Sequence, residues 1–206
     1  MKRILTTLFA LTIVSPLIAL AQGGFQFSEL KPAQPVPSDS KKVDVIFFFW
    51  YGCIHCYNLE PVLEPWIKKL PADVQFRRVP AVFNARWEHD ATIFYAFEAL
   101  GVLDSLHRPF FDAIHRDALR TDNNEAMAQW LQKNGVDSKK FFETMKSFSV
   151  QSKTRRAVQL TTAYHIDGTP AMAVHGRYTI SADQGRSREG LLQTVSHLVD
   201  RVRKGQ

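Results

Sequence analysis

Hydrophobic and polar residues are arranged along this chain in two ways, one typical of buried strands and the other of helices. Residues 43–51 are apolar on both alternating faces except at Asp44, which predicts a central strand covered on both sides. Weaker alternation predicts three further strands, the last two forming a hairpin around a glycine: residues 74–79, 171–174 and 178–180. The chain therefore contains the strands of one small sheet.

Elsewhere apolar residues recur at steps of three and four, which predicts amphipathic helices. The first such stripe runs from Leu59 to Leu70 and contains Pro61 and Pro65. Each proline removes a backbone donor and crowds the preceding turn, so we expect a kink or break near residue 60.

From about residue 86 to residue 165 the pattern is helical in several segments. Asp122 with Glu125 three positions later predicts one helix cap, and Asp137 or Ser138 is expected to start the next helix. The aromatic residues of these stripes are expected to be plain core rather than a cofactor site. With the last amphipathic helix added, the order of elements predicts a two-part α/β protein with a helical insertion.

The N-terminal segment has the features of a secretory signal peptide. Two positive charges precede an apolar run over residues 4–20, and small residues stand at Ala19 and Ala21. A membrane anchor is the weaker alternative, since a bilayer span needs about 20 apolar residues and a proline interrupts this run. We expect residues 1–21 to be a signal peptide cleaved after Ala21, followed by an extended lead-in over residues 22–42.

Charge and composition exclude some classes of function. The formal net charge is +6, and removal of the signal peptide takes Lys2 and Arg3, which leaves +6 − 2 = +4. No block of lysine and arginine occurs, and pairs such as Arg77-Arg78 are typical of a solvated face, so we expect no nucleic-acid partner. Hydrophobic residues make up 45% of the chain, which is enough for a real core.

Both cysteines lie in the stretch FFFWYGCIHC, where the first strand passes into the first helix. Residues three apart on a helix share one face at about the separation that a disulfide spans, so Cys53 and Cys56 can bond to each other. Cys53 is expected at or beside the helix cap, where free backbone N–H groups and the helix dipole favour thiolate. Cys53 is therefore the expected nucleophile and Cys56 its resolving partner, and a protonated His55 adds a second favourable charge.

A lowered thiol pKa also has a redox consequence. It stabilises the reduced form at neutral pH by about 1.4 kcal/mol per unit, which makes the pair more oxidising. The stretch thus predicts a protein that gives its disulfide to others.

Two other interpretations of the cysteine pair stay open at this point. A static structural disulfide would close a very small loop, where the entropic gain is least. A metal site with two thiolates and a histidine lacks the four ligands that structural zinc requires, because no second CxxC or paired histidines occur. The remaining histidines are dispersed and are expected on the surface or satisfied by hydrogen bonds: His89, His107, His115, His165, His175 and His197.

Three motifs carry a resemblance to a known family. They are Phe48-Phe49 ahead of Cys53-Ile54-His55-Cys56-Tyr57, Thr169-Pro170 before a later strand, and RRVPAVFNARW at residues 77–87. Over essentially the whole mature chain they resemble the DsbA family of periplasmic thiol:disulfide oxidases. That family is itself a standard example of an acidic thiol in an oxidising pair, so this expectation comes with the resemblance.

The resemblance implies a fold class and a domain plan. The fold is expected to be α/β, a thioredoxin fold with an inserted all-helical domain. Residues 22–85 and 151–206 would form the thioredoxin-like domain, and residues 86–150 would form the helical insertion.

The resemblance also implies roles for particular residues. Cys53 would be the exposed attacking sulfur, Cys56 the buried one, and His55 would tune the couple. Pro170 matches a cis-proline that faces the disulfide, and it would leave the backbone of Thr169 free to pair with an extended substrate peptide.

The chain departs from the family pattern at two positions. Many members have proline where this chain has Ile54. This difference is expected to change the redox potential, in a direction that the sequence does not give. Phe47 stands where the family often has a buried glutamate that moves protons to and from the buried thiol. Asp44 lies on the opposite strand face and is not expected to substitute. Slower substrate release or a shifted redox poise is therefore predicted.

The sequence thus predicts a periplasmic thiol:disulfide oxidoreductase that donates its Cys53–Cys56 disulfide to newly exported proteins. No cofactor beyond that disulfide and no metal are expected. The expected partners are reduced secreted or periplasmic proteins and, by resemblance, a quinone-linked membrane reoxidase, with the protein itself a monomer. The alternatives are an isomerase or reductase of the same fold, and a thiolate metal carrier.

Overall fold

A computed structural model describes residues 24–36 and 42–205. The predicted signal peptide over residues 1–21 lies outside the described residues. The strands are β1 Ser28–Glu29, β2 Val43–Phe49, β3 Val74–Pro80, β4 Ala171–Val174 and β5 Tyr178–Ser181. The helices are α1 Ile54–Ile67, α2 Ala85–Ala99, α3 Leu103–His115, α4 Asn124–Lys133, α5 Ser138–Met145, α6 Phe148–Ala163, α7 Ala182–Gly185 and α8 Arg188–Arg203.

One five-stranded sheet has the order β1-β5-β4-β2-β3. β2 pairs with β3 in parallel and with β4 antiparallel, and all seven of its residues are buried. This confirms β2 as the central strand that its apolar residues predict, since a strand covered on both faces has no solvated side.

β1 was not expected from the sequence. Its two residues lie in the predicted lead-in and pair antiparallel with β5, Ser28 opposite Thr179 and Glu29 opposite Tyr178. So short a strand has no periodicity of its own, and its pairing depends entirely on the edge that β5 offers.

The helical insertion follows β3, and α6 then leads back to the hairpin of β4 and β5. The aromatic residues of the predicted helical stripes are core, with Phe110, Phe111 and Phe141 fully buried, whereas Phe148 at the start of α6 is 82% exposed. The α/β arrangement with inserted helices is therefore confirmed, while the domain boundaries at residues 86 and 150 stay a prediction. Within the described residues, no helix combines the length and hydrophobicity that a membrane crossing requires.

Of the kink or break expected near residue 60 of α1, the break does not occur. The helix runs without interruption through Pro61 and Pro65. Pro61 cannot donate to the carbonyl of Tyr57, but Arg108 of α3 donates to that carbonyl at 3.4 Å. A neighbouring helix therefore supplies the partner that proline removes, which the local pattern could not indicate.

Two other local expectations need correction. The cap of α4 is Asn123, whose side chain accepts from the N–H groups of Glu125 and Ala126, rather than the predicted Asp122. Arg77 is not on a plainly solvated face, because it makes a two-pronged ion pair with the buried Asp44 at 2.9 and 3.0 Å. A carboxylate inside a strand needs such a partner to be buried.

Candidate active site

The two cysteines lie where the central strand passes into α1. Cys53 is the N-cap residue, with an extended backbone, and its N–H donates to the carbonyl of Trp50 at 3.0 Å. Its sulfur accepts from the N–H of Cys56 at 3.3 Å. The predicted cap position is thus observed, and it directs the otherwise unpaired N–H groups of the first helical turn at one sulfur.

The Cys53 sulfur is strongly acidic. Its pKa is lowered from 9.0 to about 5, first by a hydrogen bond from the Cys56 thiol, then by the Thr169 side chain and the backbone N–H groups of Cys56 and His55. Burial opposes the shift, since Cys53 is only 9% exposed. At neutral pH this sulfur is therefore a thiolate, the nucleophilic form.

Cys56 has the opposite character. It is fully buried, and burial followed by the hydrogen bond to Cys53 and the negative charge there raises its pKa well above 9.0. A neutral Cys56 thiol can thus donate to the Cys53 thiolate, and the two shifts have a shared cause. Both residues are unpaired thiols in the structure.

Thr169, the residue before Pro170, lies against the same sulfur. The peptide bond between them is cis, and they immediately precede β4, the neighbour of β2. When Cys53 is protonated, its sulfur donates to the carbonyl of Thr169 at 3.3 Å. The sheet therefore brings together residues that are 116 positions apart in the chain.

His55 lies at the surface beside Cys53. Its ring is exposed, and the residue acts on Cys53 through its backbone N–H. Ile54 is also exposed, at 47%, and occupies the first helical position. The role of the His55 ring in tuning the couple stays a prediction.

An aromatic cluster borders the cysteines on one side. The indole of Trp50 covers Gly52, where a Cβ atom would overlap its ring. It stacks on Trp87, with ring centroids 4.2 Å apart, and its N–H donates to Asp90 at 2.7 Å. Asp90 also accepts from Thr121 at 2.5 Å, so a buried carboxylate holds the indole in place.

Glu60 is a buried residue of the site region that the sequence analysis missed. It lies one turn beyond Cys56 on the same face of α1 and is fully buried. Arg78 of β3 donates to it at 2.8 and 3.3 Å, and His107 of α3 contacts it at 3.2 Å. The expectation of a solvated Arg78 is therefore wrong. The only sign of a buried Glu60 in the sequence was its charge within an otherwise apolar face of the helix.

The contacts of His107 define how it is protonated. Its Nε2 donates to Glu60, and its Nδ1 accepts from the hydroxyl of Tyr51 at 3.0 Å. Burial lowers the pKa of His107, so the ring stays neutral. Burial raises the pKa of Glu60, but the His107 hydrogen bond and the charge of Arg78 outweigh it and lower that pKa. The prediction that His107 is satisfied by hydrogen bonds is confirmed.

Phe47 and Asp44 lie on opposite faces of β2. Phe47 is fully buried and stacks with Phe49, whose ring lies beside His107. Asp44 instead pairs with Arg77 on the other face. The expectation that Asp44 does not replace an acid at position 47 agrees with this geometry.

A strand-to-helix cysteine pair with one acidic and one buried sulfur, facing a cis-proline on a thioredoxin-like sheet, defines a thiol:disulfide oxidoreductase. The family model described as "DSBA-like thioredoxin domain" matches residues 75–193, a stretch that includes Thr169 and Pro170. The chain belongs to the DsbA family.

Relatives along the whole chain agree with this assignment. The thiol:disulfide interchange protein DsbA of Azotobacter vinelandii is 38% identical over 203 residues, covering 98% of this chain and 94% of that protein. The DsbA of Bordetella parapertussis is 42% identical over 199 residues, covering 96% and 93%.

Solved structures agree as well. The crystal structure of Pseudomonas aeruginosa DsbA matches with a TM-score of 0.82 and 36% identity, covering 87% of this chain and 93% of that one. The oxidoreductase DsbA from Xylella fastidiosa matches with a TM-score of 0.79 and 29% identity, covering 86% and 95%. The thioredoxin fold and the oxidoreductase activity predicted from the sequence are therefore confirmed.

Among residues 24–36 and 42–205, no group of three or more histidine, cysteine, aspartate or glutamate side chains could hold a metal ion.

Proposed function

We propose that this protein oxidises exported proteins by giving up its Cys53–Cys56 disulfide, with Cys53 as the attacked sulfur. The observation that carries this proposal is the opposite character of the two sulfurs. The pKa of Cys53 is lowered to about 5, whereas that of Cys56 is raised by burial. A stable Cys53 thiolate favours the reduced pair and so favours transfer of the disulfide to a client.

The reaction needs two exchange steps. A client thiolate attacks the sulfur of Cys53, a mixed disulfide forms, and Cys56 leaves and takes up a proton. A second client thiolate then attacks the client sulfur of that mixed disulfide, and Cys53 leaves as a thiolate. Two electrons pass from the client to the protein, and the client keeps the disulfide.

Thr169 and Pro170 are proposed to position the client segment. The Thr169 carbonyl lies 3.3 Å from the Cys53 sulfur and borders the reacting atoms. An extended client segment could pair with that backbone in the manner of strand addition.

We propose the periplasm as the compartment, after cleavage of residues 1–21. A disulfide donor acts where thiols are to be oxidised, and the predicted signal peptide supports export. By family resemblance a quinone-linked membrane protein would reoxidise the protein, which we expect to act as a monomer.

Trapping of mixed disulfides tests the assignment of the two sulfurs. In cells that express the Cys56→Ser variant, we expect complexes linked through Cys53 to accumulate on non-reducing gels and to disappear on reduction. The matched Cys53→Ser variant should accumulate none. Complexes with Cys53→Ser instead would reverse the roles of the two cysteines.

The reduction potential separates oxidase from reductase or isomerase. Equilibration of the protein with glutathione buffers should give a potential more oxidising than that of glutathione. A strongly reducing value would contradict the proposed direction of electron flow, whichever cysteine is attacked.

A further inference from the structure

A cleft of about 320 Å³ lies next to the active-site residues His55 and Pro170. Its lining includes His55 and Asn58 of α1, Pro170, and Arg186 and Arg188 around the start of α8. His55 is two residues from Cys53, and Pro170 follows the residue that contacts the Cys53 sulfur. A client chain bonded to Cys53 would therefore reach the cleft within a few residues, at about 3.4 Å per extended residue.

The cleft carries positive charge that the lining does not balance. Arg186 is exposed, and its guanidinium makes no hydrogen bond or ion pair with any other residue that the structure describes. Its backbone has a φ of 60° at the C-cap of α7, and its N–H donates to the carbonyls of Ala182 and Asp183. The main chain is thus held in place while the charged group stays available.

Arg188 also lines the cleft, and a hydrogen bond to α1 holds it in place. Its Nη1 donates to the carbonyl of Asn58 at 2.9 Å, which fixes the start of α8 against α1. Arg188 is otherwise exposed to solvent. The 16-residue helix α8 also begins here, so the positive end of its dipole adds to the two arginines.

Carboxylates near the cleft do not neutralise it. Asp183 is three residues before Arg186 and Glu189 directly follows Arg188, but neither carboxylate lines this cleft. Among the described residues, neither forms an ion pair with Arg186 or Arg188. Exposed arginines on a basic protein commonly serve only to solvate its surface. Here, however, two of them and a histidine surround a concave site beside the reacting sulfur.

We propose that this cleft binds an aspartate or glutamate side chain of the client polypeptide, a few residues from the client cysteine that reacts with Cys53. This inference rests on the proposed oxidase function and specifies its substrates. Arg186 would be the main specificity residue, because its guanidinium is free to form a two-pronged pair with a carboxylate.

A set of reduced peptides, each with two cysteines, tests the proposal. One glutamate is moved through the positions flanking the first cysteine, and each peptide is paired with the same sequence carrying glutamine. The rate constant for reduction of the oxidised protein is measured for each pair at low salt. At one or more positions we expect the glutamate peptide to react about threefold faster, as a partly exposed ion pair allows, and the advantage to shrink in concentrated salt.

Two variants with the same change in charge locate the effect. Arg186→Glu should abolish or invert the preference for glutamate. Arg155→Glu, on an exposed position of α6 outside the cleft, should retain it. Any effect of glutamate on the thiol of the peptide itself is common to all three proteins and cancels from the comparison.

The outcomes separate this proposal from the oxidase function. Oxidation of the glutamine peptides without a glutamate preference at any position would overturn the cleft proposal alone. Equal loss of the preference in both arginine variants would also overturn it, because only overall charge would then matter. Failure to oxidise any peptide would overturn the oxidase function.

Discussion

The chemistry of this protein depends on the different surroundings of two sulfurs three residues apart. Cys53 caps a helix and accepts hydrogen bonds, whereas Cys56 lies inside the protein and donates one. The first of the interactions that lower the pKa of Cys53 is the one from the Cys56 thiol. The acidity of Cys53 is therefore a property of the pair.

This dependence predicts the response to substitution of Cys56. Alkylation of Cys53 by iodoacetamide in the reduced protein should follow thiolate formation, with a midpoint at a pH of about 5. Cys56→Ala removes the donor and should raise the midpoint, whereas Cys56→Ser keeps an O–H donor and should stay closer to the parent protein. Equal midpoints for the alanine and serine variants would show that the hydrogen bond has no part in the shift.

Phe47 allows a second test at the scale of single residues. If the absence of an acid at this buried position slows proton transfer at Cys56, Phe47→Glu should speed turnover of the disulfide. Phe47→Gln is the matched control, since it places a polar group of similar size that cannot carry a proton. Folded fractions are compared by urea denaturation, because either side chain is costly to bury. Unchanged kinetics in Phe47→Glu would contradict the prediction.

At the scale of elements, Glu60 connects α1, β3 and α3 through buried polar contacts. It stands on α1, its ion-pair partner Arg78 on β3, and its hydrogen-bond partner His107 on α3. The carboxylate is fully buried, whereas Arg78 retains 21% of its side-chain exposure. Loss of the arginine would thus leave a charge in the protein interior.

The Glu60–Arg78 ion pair between α1 and β3 predicts a non-additive effect of two substitutions on stability. Arg78→Met should lower the free energy of unfolding by about 3 kcal/mol at neutral pH, because Glu60 is left as an uncompensated buried charge. Adding Glu60→Gln should restore a large part of that loss, and urea denaturation of both single variants and the double variant measures the coupling. Purely additive losses would mean that the pair does not act as a unit.

At the scale of the whole molecule, the redox state and the stability of the fold are linked. Between pH 5 and 9 the folded reduced protein has released the Cys53 proton, while the unfolded chain still holds it. Unfolding then takes up a proton, so the stability of the reduced form rises with pH in this window. The contribution is complete above pH 9 and is lost as pH falls through about 5. The oxidised form has no thiol and lacks this dependence.

The oxidised protein is thus the natural control for a stability measurement. The free energy of unfolding of the reduced form, minus that of the oxidised form, should increase from pH 5 to pH 7.5 by up to about 1.4 kcal/mol per pH unit. Urea denaturation of both forms at each pH measures it. Carboxylates such as Glu60 titrate in both forms and cancel from the difference. A difference that does not change with pH would contradict an acidic Cys53.

Features that depend on neighbouring residues were predicted better from the sequence than features that depend on distant contacts. The strand β2, a helix start at or beside Cys53, another at Asp137 or Ser138, and the hairpin of β4 and β5 were all predicted, because each depends on neighbours a few positions away. A kink or break near residue 60 of α1 and a solvated Arg78 were expected, but the helix has no break and Arg78 pairs with a buried carboxylate. In both cases a side chain from a distant element supplies the missing partner.

The sequence by itself determined that two cysteines meet at a strand-to-helix junction and that one of them caps the helix, since periodicity and capping are local. The tertiary structure decided which residues surround them: Thr169 at the sulfur, Glu60 with His107 beneath the helix, and Arg186 beside the cleft. These contacts join residues that are tens of positions apart. No local pattern contains them, because strand order and helix packing alone bring such positions together.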